Sequence, residues 1–388
     1  MLPAVVLTAM HSLEAAGFEV FAVGGCVRDI LLKIPPHDWD LTTNARPEEI
    51  MACLSNFKQI TTGLKHGTVT VLIDHEPIEI TTYRTDGNYP DHRHPEKVSF
   101  TQSLSADLAR RDFTVNAMAM DRAENVYDFF GGKADLTQKK IRCVGDAQKC
   151  FTEDALRILR GIRFASAEGF TLEQQTLAAA NALAASLNCI ARERIAAELK
   201  KTLSLPNAGS VIQQTLPVFK TIFPSLSCSR QQWALICSYI KASNCRPEIA
   251  FAHLLTYTDF EKELAQLKIE NILKNKIRIL LENKNSVPEN KKASLACLMC
   301  RLGREYTFLL VEFFISRGEL DSSVRKTAAL AAEGCCSLQE LDLRGDDLKA
   351  IGYKGREIKA ALLTLLTAVA EEKCENKKEK LLRYINQK

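Results

Sequence analysis

The sequence predicts an α+β protein, a head with a small mixed or antiparallel sheet followed by helices alone. Residues 1 to about 140 interleave short runs of alternating apolar and polar residues with helical stretches, whereas from Thr152 onward apolar residues recur at helical spacing. The chain has 388 residues, more than one hydrophobic core usually serves, so several domains are expected. The boundaries expected are 1–140, where strands and helices mix, then 141–205, 206–292 and 293–388, all helical.

The head opens with the apolar strand "FEVFAV", then Gly24-Gly25, then "VRDILL", which starts a helix. The stretch "DWDLTT" reads as a strand. Asp38 and Asp40 then leave from one face, while Trp39 and Leu41 enter the other. In "GTVTVLIDHEPIEITTYR" two runs rich in Val, Ile and Thr flank a polar turn, Asp74 to Pro77, which is a hairpin pattern that sends Glu79 to the face opposite Ile78 and Ile80. Beyond the head, "TEDALRILRGIRFASAEGF" reads as one helix with Thr152 as N-cap and Leu156, Leu159 and Phe164 as its apolar stripe. "TLEQQTLAAANALAASL" and "ARERIAAELKKTLS" continue the helices. Prolines at 206, 217, 224, 247 and 288 punctuate the remainder, with a connection expected near 283–292. The last segment, "EEKCENKKEKLLRYINQK", is a charged helix, either a solvated face or a phosphate-contacting surface.

A net charge of +4 is compatible with a polyanionic partner. The N-terminal stretch lacks a basic region, and His11, Ser12 and Glu14 interrupt its apolar residues before a membrane-spanning length is reached, so a cytoplasmic protein is expected. Thirteen scattered cysteines fit reduced thiols better than a disulfide framework. Cys297 and Cys300 form a C-x-x-C on an apolar helix, without a second pair or a nearby histidine, and read as structural. The histidines of His92-Arg93-His94 lack further ligands and make a poor metal site.

The chemistry gathers in the head. Two bare carboxylates two residues apart repel, and a divalent cation removes that conflict. Mg²⁺ takes a few carboxylates and fills its shell with water and substrate phosphates, so Asp38 and Asp40 are the candidate metal ligands and Glu79 a third catalytic carboxylate. Gly24 and Gly25 let backbone N–H groups approach a triphosphate, and Arg28 can fork onto its oxygens. G-x-G-x-x-G and G-K-[ST] are both absent at this turn, so it is neither a Rossmann fingerprint nor a Walker loop.

Four segments in order, "GGCVRD" with "DWDLTT", "DLARRDFTVNAMAMD", "TEDALRILRGIRFA" and "RERIAAELKK", resemble the motifs of class II tRNA nucleotidyltransferases and bacterial poly(A) polymerases over about the first 205 residues. The resemblance implies a polymerase β-like nucleotidyltransferase head, a neck that reads the base and a tail that binds tRNA. It implies that Asp154 and Arg157 act as an amino-acid template. An aspartate only accepts hydrogen bonds and an arginine only donates. Cytosine and adenine each present an amine donor beside a ring-nitrogen acceptor, which suits CTP and ATP and excludes uracil and guanine. Arg111, Arg160 and Arg163 are implied to reach phosphates. Asn116 either orients the ribose or braces its loop, and Asp112 either takes part or holds Arg111 in place. His66 either contacts the acceptor end or caps its strand, and the loop "DGNYPDHRHPEKVSF" corresponds to the one that helps CCA-adding members switch from C to A.

The tail element "DLRGDDLKAIGYKGREIKAALLTLLTAV" resembles a glycine-rich turn that opens a helix, where Gly352, Lys354, Gly355 and Arg356 suit a tRNA phosphate or merely a helix connection. The expected activity is Mg²⁺-dependent addition of C, C and A to a tRNA 3′ end, with tRNA held at its acceptor end and elbow, and no DNA or membrane partner. The alternatives are a poly(A) polymerase, a CC-only enzyme and, from another class, a catalytically silent RNA-binding protein.

Overall fold

A computed structural model describes residues 1–87 and 98–387, so His92, Arg93, His94 and most of their loop lie outside the described residues. The fold class agrees with the sequence reading. The chain divides into two compact units, Met1–Leu226 and Ser227–Lys388.

Over residues 1–128 the described strands are β1 (Val20–Val23), β2 (Trp39–Thr43), β3 (Lys58–Ile60), β4 (Thr68–Ile73), β5 (Glu76–Thr82), β6 (Arg84–Asp86), β7 (Val98–Phe100), β8 (Met118–Met120) and β9 (Val126–Asp128). Among the described residues seven of them form one sheet in the order β3-β4-β5-β2-β1-β8-β9, and β6 pairs with β7 separately. The sheet is mixed, because β2 runs parallel to β5 while its other pairs are antiparallel. Alternation explains the hairpin: Val69, Val71, Ile73, Ile78 and Ile80 are buried and Glu79 is exposed. Its turn is tighter than the sequence suggests. Asp74 and His75 alone make it, at φ of 50° and 68°, the left-handed pair of a type I′ turn, and Glu76 and Pro77 already belong to β5.

Strand β2 begins at Trp39, so Asp38 precedes it and Asp40 lies within it. The buried threonines that anchor β2 are satisfied: Thr42 Oγ1 donates to the Thr81 carbonyl at 3.1 Å, and Thr43 Oγ1 to that of Glu19 at 2.5 Å. From β1 the chain turns through Gly24 into the helix Gly25–Leu31.

The segment expected to be one helix from Thr152 is two. Helix Ala147–Glu153 is capped by Asp146, whose side chain accepts from Lys149 N–H at 2.8 Å, and Thr152 sits inside it, bonded back to the Gln148 carbonyl. At Asp154 the backbone is extended, φ −137° and ψ 105°, and a second helix runs Leu156–Ala165. Glu153, Asp154 and Arg157 therefore do not share the single helix expected from Thr152 onward. The carboxylate of Asp154 instead accepts from Leu156 N–H at 2.9 Å, a local bond that competes with the helical ladder. Helices Gln174–Ala182 and Arg192–Leu203 follow as expected, with a short parallel ladder of Lys140–Ile141 on Thr171–Leu172 between helical segments.

The second unit is helical throughout. Helix Asn271–Glu282 ends where the lysine- and asparagine-rich connection was expected, and Lys292–Leu302 resumes after it. Cys297 and Cys300 lie on that helix against an apolar cluster that includes Leu295, Met299, Val311 and Val324. A second cluster joins Leu348, Leu365, Leu366, Leu381 and Ile385. Gly352 and Gly355 take φ of 106° and 54°, and Gly355 caps the helix Arg356–Ala370, as its sequence pattern suggests. Among the described residues no helix is long and apolar enough to cross a membrane.

Candidate active site

A cleft of about 510 Å³ in the first unit gathers residues that lie far apart in sequence. The turn after β1 brings Gly24, Gly25 and Arg28. Strand β2 and the residue before it bring Asp40 and Asp38, and the segment after helix Leu104–Ala109 brings Arg111, Asp112 and Asn116. Asp154, Arg157, Arg160 and Arg163 come from the break and the helix behind it. Every candidate site residue except Glu79 lines this cleft. Glu79 is exposed on β5, in register beside Asp40.

Gly24 is required where it stands. Its φ is 79°, and a Cβ there would lie 3.1 Å from Arg111 Nη1 and 3.8 Å from Asp40 Oδ2. The carboxyl of Asp40 is pushed up to about 6, by burial first and by the charges of Asp38 and Glu79, while Arg111 opposes the rise. In this carboxylate set burial outweighs the one opposing cation, Arg111. Its donors are all oxygens, which suits a hard divalent cation. Among the described residues no group of three or more His, Cys, Asp or Glu side chains forms a metal cage, so a cation here would take its remaining ligands from water and substrate.

The cleft wall is largely cationic. Arg28, Arg110, Arg111, Arg157, Arg160, Arg163 and Lys201 line the cleft against the carboxylates of Asp38, Asp40, Asp112 and Asp154, so the balance favours an anionic ligand. Hydrogen bonds hold this wall rigid. Arg28 donates to Asp29 Oδ1 at 2.7 Å and to Asn116 Oδ1 at 2.7 Å, and Asn116 in turn donates to Asp112 Oδ1 at 3.2 Å. Asn116 therefore braces its loop in this state. Asp112 does not hold Arg111, its sequence neighbour; it binds Arg160 at 2.7 Å. Burial raises the Asp112 carboxyl, but the charge and hydrogen bonds of Arg160 and the bond from Asn116 outweigh that and hold it below its ordinary range. Arg111 is held instead by Asp107, fully buried, which Arg110 also meets at 2.8 Å. Arg163 is paired with the buried Glu198 at 2.7 Å.

Arg157, 9% exposed, donates to Glu153 at 3.0 Å and to the Arg110 carbonyl at 2.9 Å. Asp154 lies 3.8 Å from Arg194 of the helix Arg192–Leu203.

Sequence reasoning missed Arg110, Phe164, Arg194 and Lys201. Phe164 was read as core, yet it lines the cleft with the guanidinium carbons of Arg28, Arg160 and Arg163 at 5.2, 5.5 and 4.1 Å from its ring centre, the distances of cation–π contacts. Arg194 and Lys201 stand two helical turns apart on one helix. The run "RERIAAELKK" carried that signal, but it was read as a motif without roles for its cations. His66 is exposed in a 3₁₀ turn, and its carbonyl accepts from Arg84.

With the geometry in place, the chain was compared with known proteins. Residues 20–142 match the family model "Poly A polymerase head domain", and residues 169–228 match "Probable RNA and SrmB- binding site of polymerase A". A CCA-adding enzyme of Staphylococcus haemolyticus is 33% identical over 97% of this chain and 96% of its own length. One from Leuconostoc citreum is 43% identical over 60% of this chain, a match spanning 57% of that relative. The crystal structure of the Bacillus stearothermophilus CCA-adding enzyme in complex with CTP superimposes with a TM-score of 0.81 at 30% identity, covering 100% of this chain and 98% of that one.

Proposed function

The chain belongs to the CCA-adding enzymes, and from that membership we propose that it adds C, C and A to the tRNA 3′ end from CTP and ATP, releasing pyrophosphate without a nucleic-acid template. The observation that carries this reading is the cleft itself, where Asp38 and Asp40 share one lining with six arginines.

We assign Mg²⁺ to Asp38 and Asp40, whose oxygen donors and uncompensated charge fit it, with Glu79 as a nearby third carboxylate. When bound, such a cation lowers the pKa of the primer 3′-hydroxyl and neutralises charge on the α-phosphate and the leaving pyrophosphate. The protein does the rest by placement. Gly24 and Gly25 leave room for the triphosphate, and Arg28, Arg111, Arg160 and Arg163 bind its oxygens from positions already fixed by Asn116, Asp107, Asp112 and Glu198. Asp154 and Arg157 offer an acceptor and a donor to the base edge, which cytosine and adenine satisfy. Arg157 is clamped by Glu153 and the Arg110 carbonyl, which hold its guanidinium in one orientation.

The four-part division is kept: residues 1–140 for chemistry, 141–205 for the base, 206–292 and 293–388 for tRNA. The tRNA would be held at its acceptor end and elbow by shape and phosphate contacts rather than base sequence. The relative crystallised with CTP favours this over the poly(A) polymerase reading, which needs ATP alone. A tRNA lacking its 3′ CCA, incubated with the purified protein, Mg²⁺, CTP and ATP, should grow by three residues, and by two with CTP alone. A long homopolymer from ATP alone would refute the assignment in favour of poly(A) synthesis.

A further inference from the structure

Arg157 rests on a buried thiol. Its Nη1 reaches the Cys150 carbonyl at 3.3 Å and Cys150 Sγ at 3.5 Å. Cys150 Sγ also lies 3.5 Å from the Asp112 carbonyl, the same oxygen that the Val144 N–H meets at 3.1 Å. Cys143 precedes Val144 and its backbone bridges to Phe113, while Cys150 Sγ meets the carbonyl of the preceding residue, so the two cysteines close on one stretch of chain, residues 112 and 113. Both thiols are free and buried. Cys150 nevertheless borders a second cavity of about 320 Å³, which shares Arg110, Arg111 and Arg157 with the cleft.

We propose that Cys143 and Cys150 are a site of oxidation by a hydroperoxide, closing to an intramolecular disulfide that withdraws Cys150 Sγ from Arg157 and loosens base selection; the second part rests on Arg157 reading the base. The two sulfurs have unequal roles. The hydrogen bond from Cys143 and the charge of Arg157 hold the Cys150 thiol below its ordinary range against the effect of burial, whereas that same bond and burial push Cys143 up. The Cys150 thiolate attacks one peroxide oxygen, the O–O bond breaks, and the sulfur becomes a sulfenic acid as water is released. The Cys143 sulfur then attacks that sulfur, its own proton leaving with the hydroxyl as a second water. Two thiols and one hydrogen peroxide thus give one disulfide and two waters, with two electrons passing from sulfur to oxygen.

Trypsin cuts after Arg142, Lys149 and Arg157, so peptides 143–149 and 150–157 stay together only through a disulfide. After hydrogen peroxide, a non-reducing digest of the full-length protein should contain that joined peptide by mass spectrometry. The kcat/KM preference for CTP over UTP should fall about tenfold, the order expected for losing a hydrogen bond to a charged group, and recover with dithiothreitol. Cys143→Ser should yield no joined peptide and keep its preference through the same treatment. Absence of the joined peptide while other cysteines oxidise would overturn the proposal, as would an equal loss of preference in Cys143→Ser. If the peptide forms and preference is unchanged, the coupling is wrong. Arg157→Lys then locates the fault: altered preference in that variant condemns the thiol link alone, and unaltered preference condemns the base-reading premise.

Discussion

Gly24 shows how much the site asks of single residues. An alanine there would carry strain at a positive φ and crowd Arg111 Nη1. Gly24→Ala should therefore lower kcat/KM for CTP by about tenfold or more, since left-handed backbone costs an L-residue roughly 1–2 kcal/mol. Circular dichroism should show the sheet intact; wild-type turnover would mean the turn does not shape the triphosphate site. Asp40→Ala should reduce chemistry by about a thousandfold or more while tRNA binding persists. Turnover within about tenfold of wild type would remove the metal assignment. These two positions were legible in sequence because both signals are local, a glycine pair after a strand and a D-x-D. The partner of Asp112 was not. Adjacency suggested Arg111, but the fold brings in Arg160 from a helix well downstream, and no local pattern encodes that encounter.

At the scale of elements, the hairpin could be read because its alternation continues into the core, whereas the break at Asp154 could not. Apolar residues keep helical spacing on both sides of it, and no glycine or proline marks the single extended residue. The same break lets Asp154 and Arg157 line one cleft without sharing a helix. The element that carries Arg110 and Arg111 is pinned by Asp107, which also accepts from the Arg84 N–H and from Thr42. Burial raises the Asp107 carboxyl, yet the charges of Arg110 and Arg111 hold it below its ordinary range. A carboxyl lowered in the folded state stabilises fully above its unfolded value of about 3.9 and loses that contribution as pH falls toward the folded value. Asp107→Asn should consequently cost about 3–5 kcal/mol at pH 7, the usual loss on breaking a buried ion pair. It should also flatten the decline in stability below about pH 4, as read from urea midpoints at several pH values. An unchanged pH slope would place the wild-type acid sensitivity elsewhere.

For the molecule as a whole, the α+β class was legible because the pattern changes period once, near residue 140, whereas the strand order was not, since β1 takes β2 and the much later β8 as neighbours. The first unit holds the cleft, the sheet and its core, so residues 1–226 should fold alone. That fragment should bind CTP within about fivefold of the full chain, less than 1.4 kcal/mol, but bind tRNA much more weakly. Equal tRNA affinity of fragment and full chain would show that residues 227–388 are not a tRNA-binding arm.

The most direct test of the central claim is a crystal structure of the protein with CTP and Mg²⁺. The account predicts a cation about 2.1 Å from oxygens of Asp38 and Asp40 and shared with the triphosphate, with the cytosine edge on Asp154 and Arg157. A nucleotide bound elsewhere, or seated in the cleft with both carboxylates turned from it and no metal between, would contradict it.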